Sequence, residues 1–269
     1  MFLHSRITQP DPPTRHDARI GGTGWDRVRA WACSQVETLS PNEDGWAMQI
    51  PSLGRCKELR SATAWLYCGG MALLHRATLR PSKLELLASY LGTGDLTPVG
   101  SYRFDDPTSE VGIETHLVTS GAGVLHIPLT YRSEPLAGAE EWGIGTLEHS
   151  VLGKRWVYSG CADPVYANEL IRAILTGGTQ VDQYFEEGEE RLHREPTATV
   201  LGSGTADTPV PKISGVHAES FDADTLIDAG GVQVVVRHGL STPEPDSTSG
   251  TLSGRWSGTD TPVVLAYLP

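Results

Sequence analysis

Lysine is scarce in this chain, with 4 against 17 arginines among 269 residues of formal charge -12. No basic run gathers anywhere, so the electrostatic footprint of a nucleic-acid binder is missing. Of 21 Lys+Arg and 33 Asp+Glu, residues 1–70 hold 8 and 7, leaving 13 and 26 for the rest, an acidic excess that favours solubility. Long apolar runs are absent too. None approaches the roughly 18 residues of a membrane span, and the opening MFLHSRITQPDPP lacks the basic and apolar regions of a secretory signal. The cytoplasm is the expected compartment.

Cysteine is confined to positions 33, 56, 68 and 161. With no CxxC spacing, neither a zinc site nor a disulfide framework is indicated. Cys161 with His149 as its base would make a nucleophile, and a buried inert thiol is the ordinary alternative. The chain also lacks a GxSxG elbow, an HExxH helix, a kinase catalytic loop and a dinucleotide fingerprint. GSGTADTP at 202–209 has no Lys-Ser/Thr and reads as a plain turn. No cofactor is implied.

Residues 1–70 show no sustained hydrophobic period and are broken by Pro10, Pro12, Pro13, Gly21, Gly22, Pro41 and Pro51, yet they carry Trp25, Trp31, Trp46 and Trp65. That composition suits neither a disordered tail nor a folded domain. The arginine bias and 30 glycines fit a GC-rich genome. The expectation is an irregular extension over 1–70, a gene-model artefact with translation starting at Met71, and a domain over 71–269. A genuine flexible extension is the alternative.

What is present is most regular from Val99 to Tyr131. Three runs alternate apolar and polar residues, the period of a strand with one buried face. A six-residue loop at 105–110 would set Phe104 against Val111 and Tyr102 against Ile113. A three-residue turn at 120–122 would set Leu117 against Leu125 and Ile113 against Leu129. The expected product is an antiparallel meander with one apolar face. Its open polar face would carry Ser101, Arg103, Glu114, His116, His126 and Thr130, with His116 directly opposite His126.

Ala72–Thr78 reads as a first strand. Ser82 and Glu85 form a capping box for a helix to about Tyr90, with Leu84, Leu87, Ala88 and Leu91 as its apolar stripe. Asp163-Pro164 starts a second helix and Gly177-Gly178 stops it. Strands are expected at 147–151, 155–158, 197–201, 225–228, 232–238, 251–256 and 263–268. The fold class is α+β, a curved antiparallel sheet of about eight strands with two main helices packed on one face.

Candidate ligand-binding residues are Arg103, Glu114, His116 and His126 on the polar face, with Glu148, His149, Lys154 and Arg155 from the following hairpin. Glu114, His116 and His126 could make a carboxylate-plus-two-imidazole metal site, although Arg103 pairing with Glu114 is the simpler reading. Glu148 and His149 are strand neighbours, so they point to opposite faces and form no dyad. Lys154 and Arg155 could hold an anionic group at an exposed turn.

The stretches VGSYRFDDP, GIETHLV, PLTYR and GTLEHSVLGKRWVYSGCADPVY resemble the N-terminal cap of actinobacterial maltokinases and related glucosamine kinases. MALLHRATLRPSKLELLASYL looks like the opening strand and helix of that cap, and GGTQ with VQVVVRHG and GRWSGTDTPVVLAYL look like short stand-alone relatives of it. The resemblance covers about 71–269, densest from 98 to 180. In those kinases the cap precedes two lobes that bind ATP and sugar. The expectation is that this chain ends before such lobes could be built and that, with their catalytic Asp-bearing motifs absent from these 269 residues, no kinase catalytic residue carries over. The resemblance implies a noncatalytic module of sugar-kinase or α-glucan (maltose, trehalose, glycogen) metabolism, with a sugar-metabolising enzyme as partner or a small carbohydrate as ligand. The alternative is a small enzyme or carbohydrate-binding protein acting through the polar sheet face.

Overall fold

The computed structural model describes residues 71–74, 77–121, 123–187, 190–246 and 248–269. The expectation for 1–70 lies outside these residues. In chain order the elements are β1 Met71–Leu74, β2 Leu79–Arg80, α1 Lys83–Leu91, β3 Thr97–Phe104, β4 Gly112–Ser120, β5 Gly123–Arg132, β6 Gly143–His149, β7 Gly153–Ser159, α2 Pro164–Thr176, β8 Asp182–Glu187, β9 Glu190–Arg194, β10 Ala198–Gly202, β11 His217–Phe221, β12 Asp224–Asp228, β13 Gln233–Arg237, β14 Gly250–Trp256 and β15 Val263–Leu268. They form a six-stranded sheet β2-β6-β7-β5-β4-β3, a second six-stranded sheet β10-β14-β15-β13-β12-β11, and a three-stranded sheet β1-β8-β9.

The class is α+β as expected, but the strands exceed eight and are divided among sheets, and the two helices lie against opposite faces of the first sheet rather than on one. Those missing from the sequence reading are polar or very short: DQYFEE, ERLHR and HAESF show little apolar alternation, and β2 has two residues. Of the expected strand over 72–78, Ala72–Leu74 lies in β1, which pairs with β8, while β2 follows it at Leu79–Arg80 and pairs with β6.

The meander β3-β4-β5 forms, and its two turns shift the expected pairing. Asp106 accepts bonds from the amides of Thr108, Glu110 and Val111 and from the Thr108 hydroxyl. Val111 is thereby held in the loop, and Phe104 pairs with Ile113 rather than Val111. This slip of two residues leaves the faces unchanged. At the second turn Ser120 pairs with Gly123, and Gly121 takes φ +55°. Two residues turn the chain where three were expected, the tighter connection that positive φ permits. Leu117 therefore pairs with His126 and Val118 with Leu125. A slip of one residue moves every β5 side chain to the other face.

The consequence is a sheet with two covered faces. One carries Arg103, Glu114 and His116 beside Ile127, Leu129 and Tyr131, and α1 lies over it. The other carries Tyr102, Ile113 and Leu117 beside His126 and Thr130. It is covered by α2 and the second sheet. Tyr102, Ile113, Leu117, Leu125 and Ile127 all belong to the protein's core, from opposite sides of the same sheet. The open polar face expected from the sequence does not exist in the meander, because polar and apolar residues are mixed on both covered faces.

Both helices are capped as their sequences prescribe. Ser82 Oγ accepts from the Glu85 amide at 3.2 Å, and Glu85 Oε2 accepts from the Ser82 amide at 2.8 Å. Asp163 accepts from the Val165 amide at 3.0 Å. The end of α2 has a further device. The amides of Gly204 and Thr205 donate to the carbonyls of Ile174 and Leu175 at 2.8 and 3.0 Å, satisfying acceptors that a helix end leaves open. A Cβ on Gly202 would lie 1.8 Å from the Ala173 oxygen, and one on Gly204 1.8 Å from that of Leu175. The glycines of GSGTADTP thus let a second strand segment close the helix. α2 contacts β3, β10 and β14 and so joins the two six-stranded sheets.

Candidate functional site

On the α1 side of the first sheet, Glu114 is fully buried and lies at the centre of a charged cluster. Register places Arg103 beside it, and Arg103 Nη1 donates to Glu114 Oε2 at 3.3 Å. Lys83, the first residue of α1, donates to the same oxygen and lies over the Tyr131 ring. His116 follows two positions along β4, its Nε2 3.2 Å from the Tyr131 hydroxyl and 3.9 Å from Glu114 Oε1. Burial opposes ionisation of Glu114, but Lys83, His116 and Arg103 outweigh it and hold the carboxyl down at about 2. Burial brings Lys83 down to about 8 against the pull of Glu114. Burial, aided by Lys83 and Arg103, brings His116 down to about 4. At neutral pH the cluster is an ionised carboxylate between two cations with a neutral imidazole alongside. Such buried pairs fasten elements together, here α1 to β3 and β4.

His126 is not part of this cluster. It projects from the opposite face of the sheet, fully buried, with Nδ1–H donating to the Arg237 carbonyl at 2.7 Å. Its Nε2 therefore accepts the Tyr102 hydroxyl at 2.8 Å. Burial leads the effects that lower its pKa to about 3, so the ring is neutral. The expected juxtaposition of His116 and His126 is thus overturned by the β5 slip, and a Glu114, His116, His126 metal site with it. Among the described residues, no group of three or more His, Cys, Asp or Glu could hold a metal ion.

The hairpin residues separate according to face. His149 is buried, and its Nδ1 accepts from the amides of Val151 and Leu152 at 3.2 and 3.0 Å, closing the β6-β7 turn. Arg155 is half-buried on the same face, where burial lowers its pKa. Glu148 and Lys154 pair across the hairpin and are exposed on the other side. Lys154 Nζ stands 4.8 Å from the centroid of the Trp156 ring. Cys161 is buried, with its thiol pushed up to about 12 mainly by that burial, and its sulfur lies 3.9 Å from His238 rather than near His149. It is the inert alternative, not an activated nucleophile.

Sequence reasoning missed Lys83, His238 and Arg237. Lys83 left one trace: a cation in the first turn of a helix opposes the helix dipole. His238 and Arg237 left none, since their partners are main-chain carbonyls and threonine hydroxyls, which carry no distinctive sequence signal.

Residues 90–163 match the family described as maltokinase N-terminal cap domain. The match runs from the last turn of α1 to the cap of α2 and contains β3 to β7, the first sheet except β2. It agrees with the resemblance read from the sequence over that stretch. No curated protein matches the chain. Among the described residues, no helix is long and apolar enough to cross a membrane.

Proposed function

We propose that this chain is a maltokinase-cap-like module that acts in the cytoplasm by binding, without turnover of its own, as an accessory to a sugar-metabolising enzyme of sugar-kinase or α-glucan metabolism. The observation that carries the reading is the coincidence of the cap match with a meander whose Arg103, Glu114 and His126 are engaged in internal bonds. Glu114, Arg103 and His126 serve cohesion in this arrangement, and His116 is 14% exposed. The alternative of chemistry through these four residues would need α1 or the second sheet to lift away.

The test is direct. Pure protein incubated with ATP and either maltose or glucosamine is expected to release no phosphosugar, and affinity capture from native extract is expected to retain an identified sugar kinase or α-glucan enzyme. Robust phosphorylation by the pure chain would overturn the proposal.

A further inference from the structure

The first sheet has one part that neither helix covers. Past the N-terminal cap of α2, strands β2, β6 and β7 and the end of β5 turn a face to solvent on which register aligns six side chains. Arg80 lies across from Glu148, and Glu148 across from Lys154. In the next row, Thr146 lies across from Trp156, and Trp156 across from Arg132. Arg80, Thr146, Glu148 and Lys154 are exposed, and Trp156 is half-buried. A tryptophan therefore stands in a field of hydrogen-bonding groups on an open part of the sheet.

The chemistry of the patch selects its ligand. The ammonium of exposed Lys154 stands over the Trp156 ring, 4.8 Å from the centroid. A solvated ammonium in that position is weakly held and can swing aside. Arg132 is neutralised by a bidentate bond to Asp163, both distances 2.7 Å. Glu148 lies between two cations. Diagonal neighbours on adjacent strands are about 7–8 Å apart, which places Glu148 at the rim of anything stacked on Trp156. A carboxylate there accepts from hydroxyls, and Arg80 and Lys154 on either side of it offset its charge and can donate to them. The complement is a molecule with an apolar face and a rim of hydroxyls that both donate and accept.

We infer that the Trp156 face of the β6-β7 hairpin is a binding site for a neutral pyranose sugar. The ring's C–H face stacks on the indole, Glu148 accepts from hydroxyls, and Lys154 and Arg80 donate to them. The site stands on the surface geometry alone and holds with or without the partner enzyme proposed above. That proposal can fail on its phosphotransfer test while this one stands.

The experiment follows the seven tryptophan indole N–H signals of the full chain by heteronuclear NMR during titration with maltose, with cellobiose and with glucose 6-phosphate, the Trp156 signal being assigned by its loss in Trp156→Phe. A saturable shift of that signal with the neutral sugars is expected, weaker by at least about tenfold in Glu148→Gln and absent from the spectrum of folded Trp156→Ala. An unmoved Trp156 signal, a stronger response to glucose 6-phosphate, or sugar binding that survives intact in either Trp156→Ala or the surface variant Glu148→Gln would overturn the site.

Discussion

His126 and His238 hold each other by both main chain and side chain: the His126 amide donates to the His238 carbonyl, and His238 Nδ1–H donates to the His126 carbonyl, each at 2.9 Å. With the Leu240 amide on the Val124 carbonyl at 3.0 Å, this pairs the edge of the start of β5 that β7 leaves open with the chain leaving β13. His238 Nε2 accepts the Thr225 hydroxyl at 2.9 Å, as His126 Nε2 accepts that of Tyr102. Two neutral imidazoles thus join the six-stranded sheets.

Acid should weaken this junction. Burial lowers His126 to about 3, His238 to about 4 and His116 to about 4, all from 6.5. The unfolded chain therefore binds more protons than the folded one between those values, so the stabilisation is complete above about pH 6.5 and is lost as pH falls toward 4. Each such proton contributes about 1.4 kcal/mol per pH unit. Urea unfolding between pH 4 and 8 should show stability rising steeply with pH and then levelling, and His238→Gln should reduce the slope. A flat profile from pH 4.5 to 7 would contradict the assignment of neutral histidines.

The cluster around Glu114 should behave as a unit. Glu114→Ala leaves Lys83 and Arg103 buried without their carboxylate, at a cost of about 3–5 kcal/mol. Adding Lys83→Met should cost far less than the sum of the two single changes, since Lys83 then has no charge to strand. Denaturant melts of the two single variants and the double variant provide the cycle. Strict additivity would mean that the pair does not interact.

Gly202 and Gly204 should tolerate nothing larger. A Cβ 1.8 Å from a helix carbonyl forces the strand off the end of α2, so Gly204→Ala is expected to cost more than about 3 kcal/mol or to prevent folding. Gly92→Ala offers a contrast, because the left-handed cap of α1 has open space around it and only the φ of +69° opposes a side chain. Its expected cost is about 1 kcal/mol. Thermal melts that rank the two alike would contradict the close-packing account.

Asp163 has two duties, capping α2 and clamping Arg132. Asp163→Ala removes both, at about 2–4 kcal/mol, whereas Asp163→Asn keeps a cap acceptor and should lose about half as much. Equal losses in the two variants would show that the cap contributes nothing.

Signals confined to a few neighbouring residues were legible in the sequence. The Ser82-Glu85 box, the Asp163-Pro164 start and the Gly177 stop needed no distant partner, and both helices appear where their caps place them. The alternation in β3, β4 and β5 identified three strands of one meander. Their pairing was legible only in part, because Asp106 lengthened one loop and Gly121 tightened the other turn. Arg103, Glu114 and His116 were rightly grouped on one face, and His126 was not. With apolar residues on both covered faces, no periodicity could reveal the slip.

The sequence by itself determined the helices and most of the strands, since caps, turn residues and alternation act over distances the chain fixes covalently. Tertiary structure alone decided that the polar residues of the meander would be enclosed and that the hairpin surface around Trp156 would stay open. Which face of a sheet meets water depends on where α1, α2 and the second sheet come to rest. Those positions are set by register and by bonds such as Lys83 to Glu114 and His238 to His126, which join residues far apart in the chain.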